Sequence, residues 1–385
     1  MSPFGQTYEL FATCAPGLEH ILEMEITELA AQHPKIENGG VSIKGDLADA
    51  AGLALWARTP SRVLIRVGRF RSGSLQDLHA KAKKLPWDRF VHPGQNIVVK
   101  TTLHGSKLKR SDHAGAKLEL AIRDSLRRPR RGGASRHAGK FPPIEVILRV
   151  YKTEVTISVD ASGPMHKRGW RGPSAKAPLR ENLAAAVLMA ADWRPDEPIS
   201  DPMCGSGTFG IEAALFALDI APGKDRTPPV VGFPTFQAKL WQRLQQEVRE
   251  PVDTSNLEEL WIHSGDRDIG AIKSAKHNSK TAGVSSLISY RQAPLDEPIE
   301  DLPETGLVVV NPPWGHRISD NKKLAGLYLS IGKSLAKNYN GWRVAAVCPD
   351  KALAGRLASG IEQVASFSAG GIKVGVWLGE ITSNN

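Results

Sequence analysis

Cysteine is scarce. Cys14, Cys204 and Cys348 are the only three in 385 residues, and they stand far apart. Such spacing makes neither a disulfide framework nor a metal-ligating cluster, and a reducing cytoplasm fits it. No run approaches the ~18 consecutive apolar residues that a membrane span needs. Met1 to Leu10 lacks a basic stretch followed by an apolar one, so no signal peptide is expected. Acidic residues are sparse in one segment. From Lys100 to Arg180 there are 6 Asp and Glu against 19 Lys and Arg, whereas the whole chain carries +10. That segment therefore holds the entire basic excess, which points to a polyanionic partner. Hydrophobic residues make up 41% of the chain, enough for the cores of two or three domains.

Asp201-Pro202-Met203-Cys204-Gly205-Ser206-Gly207-Thr208 follows a short apolar stretch and precedes an apolar run, Ile211 to Leu218, of helical density. The order predicts a strand, a tight turn and a helix. Glycine permits the backbone angles of such a turn and lets a ligand lie against the main chain. The N–H groups at the helix start are free to bind it. No Gly-Lys-Ser/Thr follows, so this is not a P-loop.

About a hundred residues on, Leu307-Val308-Val309-Val310 reads as a buried strand. It runs into Asn311-Pro312-Pro313-Trp314-Gly315, where two prolines end the ladder and stiffen the turn. An amide is thereby held at a sheet edge of the kind where open α/β folds bind ligands. The amide oxygen and a backbone carbonyl can both accept from one exocyclic amine, and Trp314 offers a stacking face. Together, in this order, the two motifs resemble those of class I S-adenosylmethionine-dependent methyltransferases that modify exocyclic amino nitrogens. The resemblance implies Asn311, Pro312, Pro313 and Trp314 as catalytic residues. It implies Asp201 to Thr208 as the cofactor loop.

The first 160 residues pattern as α+β. Asp46 is suited to cap a helix through Trp56, Trp87 reads as core, and Ile144–Val150 with Glu154–Asp160 reads as a hairpin. The layout resembles a ferredoxin-like unit (residues 1–70) joined to a THUMP domain (71–160), a module that grips RNA. Residues 127–140 read as a basic, glycine-containing loop. The stretch 161–180 reads as a basic linker. In it His166-Lys167-Arg168-Gly169-Trp170-Arg171 mixes cations with an aromatic, a combination suited to phosphate contact and base stacking. Lys107, Lys109, Arg110, Lys117, Lys167, Arg168, Trp170 and Arg171 are the expected RNA contacts.

With that linker and Asp201 to Ala214 following it, the chain resembles bacterial 23S ribosomal RNA guanine-N2 methyltransferases over nearly its whole length. The expected architecture is α/β: a Rossmann-like class I methyltransferase domain (181–385, a seven-stranded mostly parallel sheet) behind the ferredoxin-like/THUMP region. Residues 222–249 read as an excursion whose Phe233, Phe236 and Trp241 pack on that sheet. Asp266, at the end of a second strand, is the expected ribose ligand, with Arg267 beside it and Asp268 starting the next helix. Where the family carries an acidic residue for the adenine amine, this chain has Gln292. The resemblance implies S-adenosylmethionine as cofactor and RNA as partner. Guanine N2 in tRNA, adenine N6, and a non-catalytic RNA-binding assembly factor are the alternatives.

Overall fold

The computed structural model describes residues 6–30, 32–126, 141–172, 178–248, 260–314 and 321–382. The basic loop expected at 127–140 lies outside them, as does Gly315.

The first half contains β1 (Tyr8–Thr13), α1 (Glu19–Ala30), β2 (Lys35–Glu37), β3 (Gly40–Gly45), α2 (Leu47–Trp56) and β4 (Arg62–Arg71). Then come α3 (Leu75–Ala82), a 3-10 turn at Trp87–Arg89, β5 (Ile97–His104), α4 (Ser111–Leu126), β6 (Ile144–Tyr151) and β7 (Glu154–Asp160). Local sequence explains the element ends. The Asp46 carboxylate accepts from the N–H groups of Ala48 and Asp49, and Asp49 reciprocates on the N–H of Asp46, closing a capping box on α2. Trp87 is buried, and its indole N–H donates to Ala82 O at 2.7 Å. In β6 the inward residues Ile144, Val146, Leu148 and Val150 are buried while Arg149 and Tyr151 stay exposed. Each such burial is worth roughly 1.5–3 kcal/mol, which sets the register.

All seven strands form one sheet, ordered β2-β3-β1-β4-β7-β6-β5. The two units foreseen in this region are thus continuous: β4 of the first pairs antiparallel with β7 of the second, from Leu64 opposite Asp160 to Arg71 opposite Glu154.

The second half contains α5 (Glu181–Ala190), β8 (Ile199–Asp201), α6 (Thr208–Ala217), α7 (Ala238–Val248), β9 (Ile262–Asp266), α8 (Ile269–Ala282) and β10 (Ile288–Gln292). It closes with β11 (Leu307–Val310), α9 (Asn321–Asn338), β12 (Arg343–Cys348), α10 (Lys351–Ala354), β13 (Ser359–Ala369) and β14 (Ile372–Glu380). The sheet order is β10-β9-β8-β11-β12-β14-β13. The pairs from β10 to β12 are parallel, and β14 runs antiparallel to both neighbours. This is the seven-stranded, mostly parallel Rossmann-like sheet of class I methyltransferases. Strand order reverses between β8 and β11, which opens a crevice beyond their carboxyl ends.

The halves share one hydrophobic core that runs from Leu10 to Val376. Buried polar contacts also join them. Arg58, just after α2, donates to the carbonyls of Leu215 (3.2 Å) and Ile220 (2.9 Å) at the end of α6. Asn182 of α5 donates to Thr59 O at 3.1 Å. The excursion after α6 corrects an expectation. Phe233 meets Phe90 edge-on at 5.7 Å, Gly223 N–H donates to Leu55 O at 2.8 Å, and α7 lies against α2. Its aromatics therefore anchor onto the first half. They have no reason to lie on the catalytic sheet, because the faces of α5 and α6 are already buried there.

Candidate active site

β8 ends at Asp201, and the chain turns through residues 202–207 into α6. Gly205 and Gly207 have φ of +55° and +81°, left-handed values that side chains resist. They differ in surroundings. A Cβ on Gly207 would lie 2.9 Å from the Cβ of Ala275, so α8 itself requires glycine there. A Cβ on Gly205 would meet nothing within 4 Å. That backbone borders open space over the sheet edge. Gly207 caps α6 with no side-chain bond, which leaves the first-turn N–H groups to a ligand.

Acidic groups flank this loop. Asp266, at the end of β9, accepts from Gly205 N–H (3.0 Å) on Oδ2 and from Asp268 N–H (2.9 Å) on Oδ1. Each oxygen keeps a lone pair for a hydroxyl. Asp268 caps α8 by accepting from Gly270 N–H at 2.9 Å. Asp201 is only 3% exposed, and burial pushes its carboxyl up to about 8, against the N–H of Met203 and with the charge of Asp266. Pro202 is buried and Met203 half-buried. Cys204 is buried, and that burial with the two carboxylates drives its thiol far up, so it is no nucleophile. Gln292 ends β10 directly opposite Asp266 and is exposed, as is Arg267.

Across the crevice, β11 delivers Asn311. Its four residues are wholly buried, and Pro312 is buried behind Asn311. The following turn is pinned twice. Trp314 Nε1 donates to Val347 O of β12 at 3.1 Å, and the Tyr328 hydroxyl of α9 donates to Pro313 O at 3.3 Å. Trp314 is half-buried. Asn311 Oδ1 is buried and, among the described residues, has no hydrogen-bond partner. A buried, unpaired carbonyl oxygen costs about 1–3 kcal/mol, a cost relieved when a donor enters. It is an acceptor held ready beside the crevice.

Two supporting residues went unrecognised in the sequence. Sequence alone places Arg171 among the RNA contacts. In the structure it donates to Ser206 Oγ (2.8 Å), Thr208 Oγ1 (3.0 Å) and Glu181 Oε1 (2.7 Å). It braces the loop from behind. Asn278, buried on α8, donates to Ser206 O at 3.0 Å and accepts from Gly172 N–H at 3.0 Å. A signal existed: Ile272, Ala275, Asn278 and Ala282 fall on one helical face, so Asn278 is a polar residue at a core position.

The structure removes two other RNA contacts. Trp170 is 4% exposed, with the Arg171 guanidinium 4.8 Å from its ring centroid. It has no free face for a base. Arg168 is 3% exposed and pairs with Glu212 of α6 at 3.3 Å, while donating to Met165 O and Arg58 O. Its charge serves the junction between the halves. Lys107, Lys109, Arg110 and Lys167 are exposed, and Lys117 is half-buried on α4. Arg110 is bonded to Asp112 at 2.6 Å.

Comparison with known proteins fits this geometry. A family model described as an RMKL-like methyltransferase domain matches residues 168–371. The chain belongs to this methyltransferase family. An RlmL ferredoxin-like domain model matches residues 9–64 and a THUMP domain model residues 72–160. A Synechocystis sp. protein, slr0064, provisionally named an RNA methyltransferase, is 34% identical over 91% of both chains. "Ribosomal RNA large subunit methyltransferase K/L" of Syntrophotalea carbinolica is 34% identical over 88% of this chain and 48% of its own. The chain thus spans about half the length of such K/L relatives. Among solved structures, SMU.472, a methyltransferase by provisional name, complexed with S-adenosylhomocysteine, superposes with a TM-score of 0.86 at 28% identity, covering 97% of this chain and 98% of that one. A Listeria monocytogenes protein named a predicted N6-adenine-specific DNA methylase superposes with a TM-score of 0.82 at 30% identity over 96% of each. The cofactor of this methyltransferase family is S-adenosylmethionine. The residues present fit it: an open glycine backbone at a free helix N-terminus, and the Asp266 carboxylate for the ligand's hydroxyls.

Proposed function

We propose that the chain methylates the exocyclic N2 amine of a guanosine in large-subunit ribosomal RNA. The observation that carries this reading is the buried, unpartnered Oδ1 of Asn311 at the crevice between β8 and β11. An acceptor there suits an amino group and would ill suit a carbonyl or hydroxylate. The K/L relatives support ribosomal RNA as the substrate. Three buried free thiols and the lack, among described residues, of a helix able to cross a membrane agree with a cytoplasmic enzyme.

S-adenosylmethionine supplies, when bound, a methyl carbon that is already electrophilic. Residues 201–208, Asp266 and Gln292 would hold it, and Arg171 and Asn278 keep that loop in place. The chain's remaining task is to make a poor nucleophile act. The lone pair of an exocyclic amine is delocalised into its ring. Asn311 Oδ1 and the Pro312 carbonyl accept from its N–H groups, favour a tetrahedral nitrogen and stabilise the positive charge that develops. Trp314, tethered to β12, stacks on a base that has left its helix. Alignment supplies the rest of the rate.

The test is nucleoside mass spectrometry of ribosomal RNA from a strain lacking the gene, before and after treatment with the purified chain. N2-methylguanosine should appear at one position. N6-methyladenosine, the chemistry named for the Listeria neighbour, would overturn the base while leaving the site's role intact.

A further inference from the structure

The sheet of the first half carries a concavity of about 770 Å³, lined by Arg66, Arg69, Arg71, Arg149, Phe11 and Tyr151 and by none of the residues placed at the crevice. The arginines differ in how they are held. Arg66 is nearly enclosed, 3.9 Å above the Phe11 ring and bonded to Glu9 (2.6 Å) and Glu37 (2.8 Å). Arg69 shares those two carboxylates, at 2.9 and 3.4 Å, with 49% of its side chain exposed. Arg71 is 79% exposed, with Glu154 at 3.6 Å. Arg149 is exposed and, among the described residues, pairs with no carboxylate. The floor is therefore ionically satisfied, and the free positive charge is on the β6 side.

Tyr151 stands two residues beyond Arg149 on the same face. At 47% exposure it is the single exposed Phe, Tyr or Trp among the described residues. Its ring lies parallel to that of His104 on the edge strand β5, with centroids 5.5 Å apart and planes within 6°. Lys152 Nζ lies 5.5 Å from the same ring. A flat, exposed, two-ring stack flanked by an unpaired guanidinium and an ammonium has the elements that hold a nucleobase and its phosphates. Pro16 also lines the concavity. The next residue, Gly17, packs so closely that a Cβ would lie 2.3 Å from Ser366 O of β13. The chain beside the concavity thus touches the edge strand of the catalytic sheet.

We propose that this face binds an unpaired segment of RNA, with a base on the Tyr151–His104 stack and phosphates at Arg149, Arg71 and Lys152. The segment would run toward the catalytic half. The proposal rests on the RNA reading above and adds to it a site for single-stranded RNA built on different side chains from the exposed Lys107–Arg110 stretch, which begins beside it. An acidic protein partner or a second copy of the chain would have less use for an exposed ring stack.

The test is fluorescence anisotropy with the full chain, using an unstructured oligoribonucleotide and a fully paired RNA duplex of equal length. Tyr151→Ala and Arg149→Glu should each weaken binding of the unstructured RNA by about tenfold. Both should leave duplex affinity and S-adenosylhomocysteine affinity unchanged. Tyr151→Phe keeps the ring and should bind as the parent does. If both disruptive variants hold the unstructured RNA at parental affinity while Lys107→Glu/Lys109→Glu loses it, the site is wrong and the RNA reading stands. If the parent binds neither RNA, both fall together.

Discussion

Arg171 Nη1 lies 2.8 Å from Ser206 Oγ, so the segment between the two halves reaches into the back of the glycine loop after β8. The same guanidinium satisfies Thr208 and Glu181, a residue only 5% exposed at its side chain. The loop's shape thus depends on a residue outside the catalytic sheet and its helices.

Replacing Arg171 should therefore be felt at the cofactor. Arg171→Ala leaves two hydroxyls and a nearly buried carboxylate without their donor. S-adenosylhomocysteine affinity should fall on the order of tenfold, about 1.4 kcal/mol. Arg171→Lys should recover little, because an ammonium cannot reproduce a planar fork that serves three side chains. Calorimetry on the folded variants measures both. Parental affinity in Arg171→Ala would remove it from the positioning role.

The junction between the halves should be structural. Arg168 and Glu212 each leave 1% of the side chain exposed. Arg168→Met takes from the buried Glu212 carboxylate its paired cation and leaves it only the charge of Arg58, and breaking a buried pair costs about 3–5 kcal/mol. Thermal unfolding should show a large drop in midpoint. The double variant Arg168→Met/Glu212→Leu should regain much of it. A chain begun at residue 178 lacks Arg58, Arg168 and Arg171 together and should fail to fold, so RNA and cofactor binding cannot be separated by that truncation.

These residues also show where sequence reasoning reached its limit. Leu307–Val310 was legible because a short apolar run closed by two prolines can be little else. The helix caps at Asp46 and Asp268 were legible because caps are local. His166 to Arg171 reads locally as an RNA contact, and only partners far away in the chain reverse that. Arg168 is decided by Arg58, 110 residues earlier, and by Glu212, 44 residues later. Trp170 disappears into a core that both halves build. Phe233 was foreseen as packed, but its partner Phe90 belongs to the other sheet's half. Periodicity reports which face of an element is buried and is silent on what buries it.

Asp201 should give the protein a pH-dependent stability of unusual sign. Burial raises its carboxyl from the ordinary 3.8 to about 8 in the fold. Between those values the folded chain holds a proton that the unfolded chain releases, so this contribution is full below about pH 4 and lost as pH rises through 8. Asp201→Asn removes the titration. In denaturant melts from pH 5 to 8.5, the difference in stability between variant and parent should shift in the variant's favour as pH rises. A difference that does not change across that range would contradict the assignment.

The most direct test of the account is single-turnover methylation by Asn311→Ala, using the full chain and RNA from the gene-deleted strain. Asn311 Oδ1 is buried and unpartnered among the described residues, and is proposed to act on the amine in the transition state. The rate should fall on the order of 10²-fold or more, while affinities for S-adenosylhomocysteine and RNA stay near those of the parent. Methylation at the parental rate would contradict the mechanism.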